Sequence, residues 1–325
     1  MMPAEPAAKM PAVTAVAVYV VAAVVASTTF PLLSYTASLA CFGLLHVLVE
    51  LRYVERRFSA SLPPSLWRWA FALIAGVVAL RGLRVAAADI DIIPAELILV
   101  AGLVVVGVVV AGRVGAGVVG VVVATFIVVG AATAPLETLL VLAVTHNFTP
   151  VGFIVERAPP GKKSAALLVS LAVFIGAPGA VASGVAADVL GAAGVSVDVA
   201  SRFFSAKTID AHFGVYLWPS MADSEHAVSL FAGAVCAQLL HYGAVILWLP
   251  WRAAHTPERL FADDNASVVV FFVVVVVVAV VGLAAHFAVD FAGARGFYGL
   301  PAAVHAWLEL PVLLVALGGL RARRR

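Results

Sequence analysis

The feature that most constrains this chain is a succession of apolar blocks, each about 20 residues long and parted from the next by a few polar residues. Twenty helical residues rise about 30 Å, the thickness of a bilayer's hydrocarbon core. Reading the blocks and their polar breaks gives approximate spans at 12–31, 34–54, 66–84, 93–112, 114–133, 135–156, 165–183, 227–251, 267–290 and 301–320. The expected fold is therefore all-α, a polytopic transmembrane helix bundle of about ten spans. It forms a single integral membrane domain over 1–325, with one long connection at 184–226. Composition agrees, since 12% of residues are charged and 63% hydrophobic, against roughly 25% charged in a soluble domain. Such a chain has too little polar surface to cover a water-soluble core.

Valine fills many of the spans, and the run Val273 to Val278 invites a β-barrel reading. Barrel strands alternate apolar and polar residues over about ten positions. The runs here are unbroken and twice that length, so helices are expected. The glycines Gly115, Gly117 and Gly120 read as helix-packing surface. Lys9 followed by the apolar run from Val13 resembles a signal peptide, with Ala23 to Ser27 as a candidate cleavage site. More apolar sequence follows at once, so the segment reads as an uncleaved first span. Cys41 and Cys236 both lie in apolar blocks and read as small buried hydrophobes, not as a disulfide or zinc motif.

Charge supplies an independent check on the span count. With ten spans, both termini fall on one side, and positive charge marks the cytoplasmic side. That side then holds Lys9, Arg52, Arg56, Arg57, Arg68, Arg113, Arg157, Lys162, Lys163, Arg252, Arg259, Arg321, Arg323, Arg324 and Arg325. The outer side holds Arg81, Arg84, Arg202, Lys207 and Arg295. Fifteen of the 20 basic residues therefore fall on one side, and removing a span would scramble that asymmetry. The expectation is a multi-pass membrane protein, in the plasma membrane if prokaryotic, with both termini cytoplasmic and 184–226 outside. Its expected partners are the lipid bilayer and a lipophilic small molecule, with no nucleic acid. The terminal arginines fix topology and touch anionic headgroups. Oligomeric state is left open.

Ionisable residues inside spans are costly and so are the functional candidates. Histidine recurs among them: His46 with Glu50 at i, i+4, His146 beside Thr145 and Asn147, His241 beside Tyr242, His286 with Asp290, and His305 with Glu309. Counting from each cytoplasmic end, His46 lies about 12 Å deep, His146 and His241 about 15 Å, and Glu309 about 16 Å. His305 lies about 22 Å deep and His286 about 28 Å, nearer the outer face. Imidazole and carboxylate without thiolate suit iron, zinc or manganese, and pairs one turn apart on facing helices are how bundles hold such ions. The expected metal ligands are His46, Glu50, His146, His241 and His305, with His286 and Asp290 as outer candidates. Glu50 and Glu309 are the catalytic candidates. Thr145, Asn147, Tyr242 and Gln238 are available to orient the imidazoles. Two bland readings stand beside this one: Glu50 paired with Arg52 at the interface, and Asp290 paired with Arg295.

Several families fail on their motifs. Membrane desaturases carry clustered histidine boxes, whereas no two histidines here lie within five residues of each other. Alkaline ceramidases need a serine four residues before the first histidine, where Phe42 stands. Microbial rhodopsins need a lysine in the last helix, and the tenth span has none. Histidines dispersed over several spans are similar in layout to those of the membrane-embedded carotene-cleaving dioxygenases, which surround one iron. That resemblance is of layout alone, with no motif matched residue by residue. Three functions follow as expectations. The first is a metal-dependent enzyme acting on a lipophilic substrate, with an iron oxygenase preferred over a zinc hydrolase because no separate nucleophile is evident. The second is a haem-binding electron-transfer protein. The third is a proton-coupled transporter or channel.

Overall fold

A computed structural model of the chain describes residues 13–59, 62–87, 90–111, 114–250 and 266–317. Among them every regular element is helical, with no strand. Lys9, Arg113, Arg252, Arg259, Arg321, Arg323, Arg324 and Arg325, which entered the charge argument, lie outside the described residues.

The first two helices are α1 (Val13–Thr29) and α2 (Pro31–Phe58), followed by α3 (Pro64–Ala86), α4 (Ile93–Ala111) and α5 (Val114–Thr133). The sixth span divides into α6 (Pro135–His146) and α7 (Thr149–Arg157). Then come α8 (Lys163–Leu171) and α9 (Ala177–Ala182), joined by a π turn at Ala172–Gly176. The long connection holds the short α10 (Val185–Ala192), α11 (Asp210–Phe213) and α12 (Pro219–Ala222). The chain closes with α13 (Ala227–Gly243), α14 (Ala266–Val289) and α15 (Phe291–Leu317). Nine helical segments among the described residues are long and apolar enough to cross a membrane, and Thr14–Thr29 is a shorter apolar helix. The last span starts ten residues earlier than its sequence signal at Pro301, because Pro301 and Pro311 both lie inside α15.

Proline sets the local geometry throughout. It opens α2, α3, α6 and α7 within their first two residues, where a missing N–H costs nothing. Inside a helix it strands the carbonyl four residues back. Pro178 strands that of Phe174 and Pro250 that of Ile246, and both carbonyls lie within π turns, at Ala172–Gly176 and Ala244–Trp248. Pro150 likewise frees the His146 carbonyl, which instead accepts a bond of 2.8 Å from the Thr149 hydroxyl. Helix α6 therefore stops at His146 and leaves that side chain at a break, not in a continuous wall.

Packing is uneven in a way that suits a lipid surround. In α14 the most apolar 18-residue window has no buried residue, and Val270, Val274, Val278 and Val281 are exposed on it. By contrast α2, α13 and α15 are each half or more buried over the same length. One close approach fixes α15 against α4. A Cβ added to Gly107 would stand 2.8 Å from Pro311 Cα, so no larger residue fits there without backbone movement. A buried polar tie secures the same helix: Arg81 holds Glu96 through Nε and Nη2, donates to the Gly299 carbonyl at 2.7 Å, and Trp307 Nε1 donates to Glu96 at 2.8 Å. Three helices are thereby locked in rotation, and Trp307 sits between His305 and Glu309.

Candidate metal centre

Four helices bring His46 (α2), His146 (α6), His241 (α13) and His305 (α15) together, with Glu50 one turn beyond His46 and Glu309 one turn beyond His305. His46, Glu50, His241, His305 and Glu309 are none more than 3% exposed. His305 Nε2 lies 3.1 Å from His46 Nε2 and 3.0 Å from His146 Nε2. The rings meet edge to face, His305 with His46 at 80° and with His146 at 81°. One ring nitrogen each from His46, His241 and His305 falls within 4.8 Å of the others. The carboxylates flank the imidazoles: Glu309 Oε2 is 3.0 Å from His146 Nδ1, and Glu50 Oε2 is 3.5 Å from His241 Nε2.

Proton positions decide what this arrangement can bind. His46 Nδ1 faces the Phe42 carbonyl at 3.4 Å, which places its proton on Nδ1 and leaves a lone pair on Nε2. The Glu309 carboxylate beside His146 Nδ1 favours the same tautomer there. Two lone pairs then converge on His305 Nε2, which carries at most one proton and one direction in which to donate it. Hydrogen bonding can satisfy one of these contacts well, not both. A cation between these rings would relieve that competition, and His46, His241 and His305 each offer a nitrogen within 4.8 Å of the others. Nitrogens bound about 2.1 Å from one ion stand about 3.0 to 3.4 Å apart, close to the two separations here.

Satisfaction of the surrounding atoms points the same way. Eight buried side-chain atoms of Glu50, His146, His241, His305 and Glu309 make no hydrogen bond of good geometry among the described residues, the facing pairs His146 Nδ1–Glu309 Oε2 and His241 Nε2–Glu50 Oε2 being close polar contacts only. An orphaned buried polar group costs about 1–3 kcal/mol, and more when charged. Such a concentration at one place is expected where a ligand supplies the missing partner. Comparison with known proteins brings no match: no family model fits the sequence, and no curated protein or solved structure is similar to the chain. The geometry has to carry the assignment.

Not every expected residue joins the cluster. His286 and Asp290 are exposed on the other flank of the molecule, at the junction of α14 and α15. Arg52 bonds Glu55, while Glu50 turns inward to His241, so the interfacial Glu50–Arg52 pair is replaced. The expected orienting residues have other partners. Thr145 bonds carbonyls of its own helix, as does Asn147, and Gln238 bridges Ser38 and Tyr216. Tyr242 does touch the cluster, but by stacking on His46 at 4.1 Å between centroids and 27° between planes. Carboxylate and backbone carbonyl orient the imidazoles instead. The tie of Arg81, Glu96 and Trp307 escaped the sequence because its three members lie far apart in the chain.

Proposed function

We propose that this chain is a multi-pass membrane protein with both termini cytoplasmic, and that it works as a metal-dependent enzyme on a lipophilic substrate. His46, His146, His241 and His305 hold one divalent transition metal. Glu309 orients His146 through Nδ1 in the manner of a carboxylate–histidine–metal triad, and Glu50 serves as a further ligand or as the general base. The observation that carries this reading is the double contact at His305 Nε2, which one proton cannot serve. Exposed valine over α14 supports the membrane placement.

Iron and an oxygen-dependent reaction are preferred. The donor set of imidazole and carboxylate, without thiolate, suits iron, zinc and manganese. Among the described residues no serine, threonine or cysteine side chain bonds a ring nitrogen of the four histidines, so a covalent hydrolytic route has no evident nucleophile. Haem is less well supported. Its axial nitrogens must stand on opposite faces of a flat slot, whereas these nitrogens meet directly. A proton relay through the same residues would leave the crowded lone pairs unexplained.

The test is elemental analysis together with a visible spectrum on detergent-purified protein. The expected result is about one iron or other transition metal per chain, lost in His146→Ala and His241→Ala, with no Soret band. A metal-free wild type would overturn the metal reading, and a Soret band would establish haem in its place.

A further inference from the structure

Apart from the cluster, residues 205–212 of the connection 184–226 line a pocket together with the junction of α14 and α15. That pocket, of about 260 Å³, is lined by Ser205, Lys207, His212, Val289, Asp290 and Arg295, among others. Arg295 Nη1 lies 3.3 Å from His212 Nδ1. A guanidinium only donates, so Nδ1 accepts and the ring proton sits on Nε2. His212 is 4% exposed, and its Nε2 is buried with no hydrogen-bond partner among the described residues. His212 closes one wall of the cavity with its Nε2 shut off from the pocket space, and the walls also carry an ammonium and a guanidinium. The carboxylate on the wall is partly engaged, since Asp290 Oδ1 accepts from the Gly293 N–H at the start of α15. The Ser205 hydroxyl donates to the Phe287 carbonyl. Two cations against one carboxylate leave the pocket with a positive excess.

What lies beside the donors narrows the ligand. Val289 lines the same pocket and is 84% exposed, and the exposed valine face of α14 leads away from it. A donor-rich mouth over a long apolar wall fits a molecule with an acceptor-only head and hydrocarbon tails. We propose that this pocket binds the phosphate of an anionic phospholipid, with Lys207 and Arg295 as donors, His212 placing the Arg295 guanidinium through Nδ1, and the acyl chains lying along α14. Phosphate oxygens accept from both donors without offering a competing proton. The positive excess disfavours a headgroup that carries its own cation. The site shares no residue with the histidine cluster. It rests on the membrane placement proposed above but not on the metal.

The experiment uses full-length protein in neutral detergent, to which phosphatidylglycerol, phosphatidylcholine and inorganic phosphate are added separately. Native mass spectrometry reads bound lipid, and thermal unfolding reads stabilisation. Phosphatidylglycerol is expected to remain bound at one molecule per chain and to raise the unfolding temperature. Arg295→Gln should weaken its binding about tenfold, the worth of one charge-assisted hydrogen bond, and His212→Ala should weaken it less, through the lost placement of Arg295. Unfolding of both variants in phosphatidylcholine should match the wild type. If His212→Ala does not fold, Arg295→Gln alone decides. Equal retention by wild type and Arg295→Gln would overturn the proposal, as would phosphatidylcholine binding as tightly as phosphatidylglycerol. Full stabilisation by inorganic phosphate would reassign the pocket to a free anion. A chain that extracts without detergent would instead sink the membrane placement.

Discussion

His305 is the residue on which the cluster turns. Its Nε2 faces His46 and His146 at the same time, and no choice of tautomer satisfies both contacts. Glu309, one turn on, lies 3.0 Å from His146 Nδ1 and is proposed to act through it. Glu309→Gln keeps the shape but removes the charge that holds the Nδ1 proton, so metal affinity should fall about 10- to 100-fold in a chelator competition. Unchanged affinity would leave Glu309 a bystander. His212 shows different chemistry. Burial, with the Arg295 guanidinium, pushes it down to about 4, with Asp210 and the Lys207 backbone pulling upward. A histidine lowered in the folded state stabilises fully above its ordinary value of about 6.5 and loses that contribution as pH falls toward the folded value. In neutral detergent the wild type should therefore lose more unfolding temperature between pH 7 and pH 4.5 than His212→Gln. Equal losses would show that His212 does not titrate in this way.

At the level of the helices, the site depends on how α15 is held. Its stretch between Pro301 and Pro311 carries His305, Trp307 and Glu309, and Trp307 is tied through Glu96 to Arg81. Gly107 admits Pro311 to backbone distance. Gly107→Ala pushes a methyl onto a Cα that has no rotamer to move, and should destabilise by about 1–3 kcal/mol. Metal content should fall with it if the proposed site is right, because α15 carries the proposed ligand His305 and Glu309. Loss of neither would remove Gly107 from the packing argument. The helices themselves were legible in the sequence, since block length and proline position mark them. The matched depth of His46, His146 and His241 was legible too. His305 was named as a ligand but placed about 22 Å deep, because counting 1.5 Å per residue from one end ignores tilt and takes Pro301 as a start when it lies within α15. Nor did depth show that His286 faces away, since depth says nothing about rotation around the helix axis.

The whole molecule is read as a bundle with a lipid-facing rim and a polar centre. Its proposed orientation rests on where basic residues fall, and labelling can check it. In a chain with Cys41→Ser and Cys236→Ser, Ser196→Cys should react with a membrane-impermeant maleimide on intact cells. Lys162→Cys should react only after permeabilisation. The reverse pattern would invert the topology and place the phospholipid pocket in the other leaflet. Metal site and lipid pocket lie on separate parts of the bundle, so either can fail without the other. The most direct measurement of the central claim is X-ray absorption at the edge of the metal bound to purified wild-type protein. Convergence of the four histidines predicts three or four imidazoles at about 2.1 Å and no sulfur. A shell of oxygen or sulfur without imidazole, or no bound metal, would contradict it.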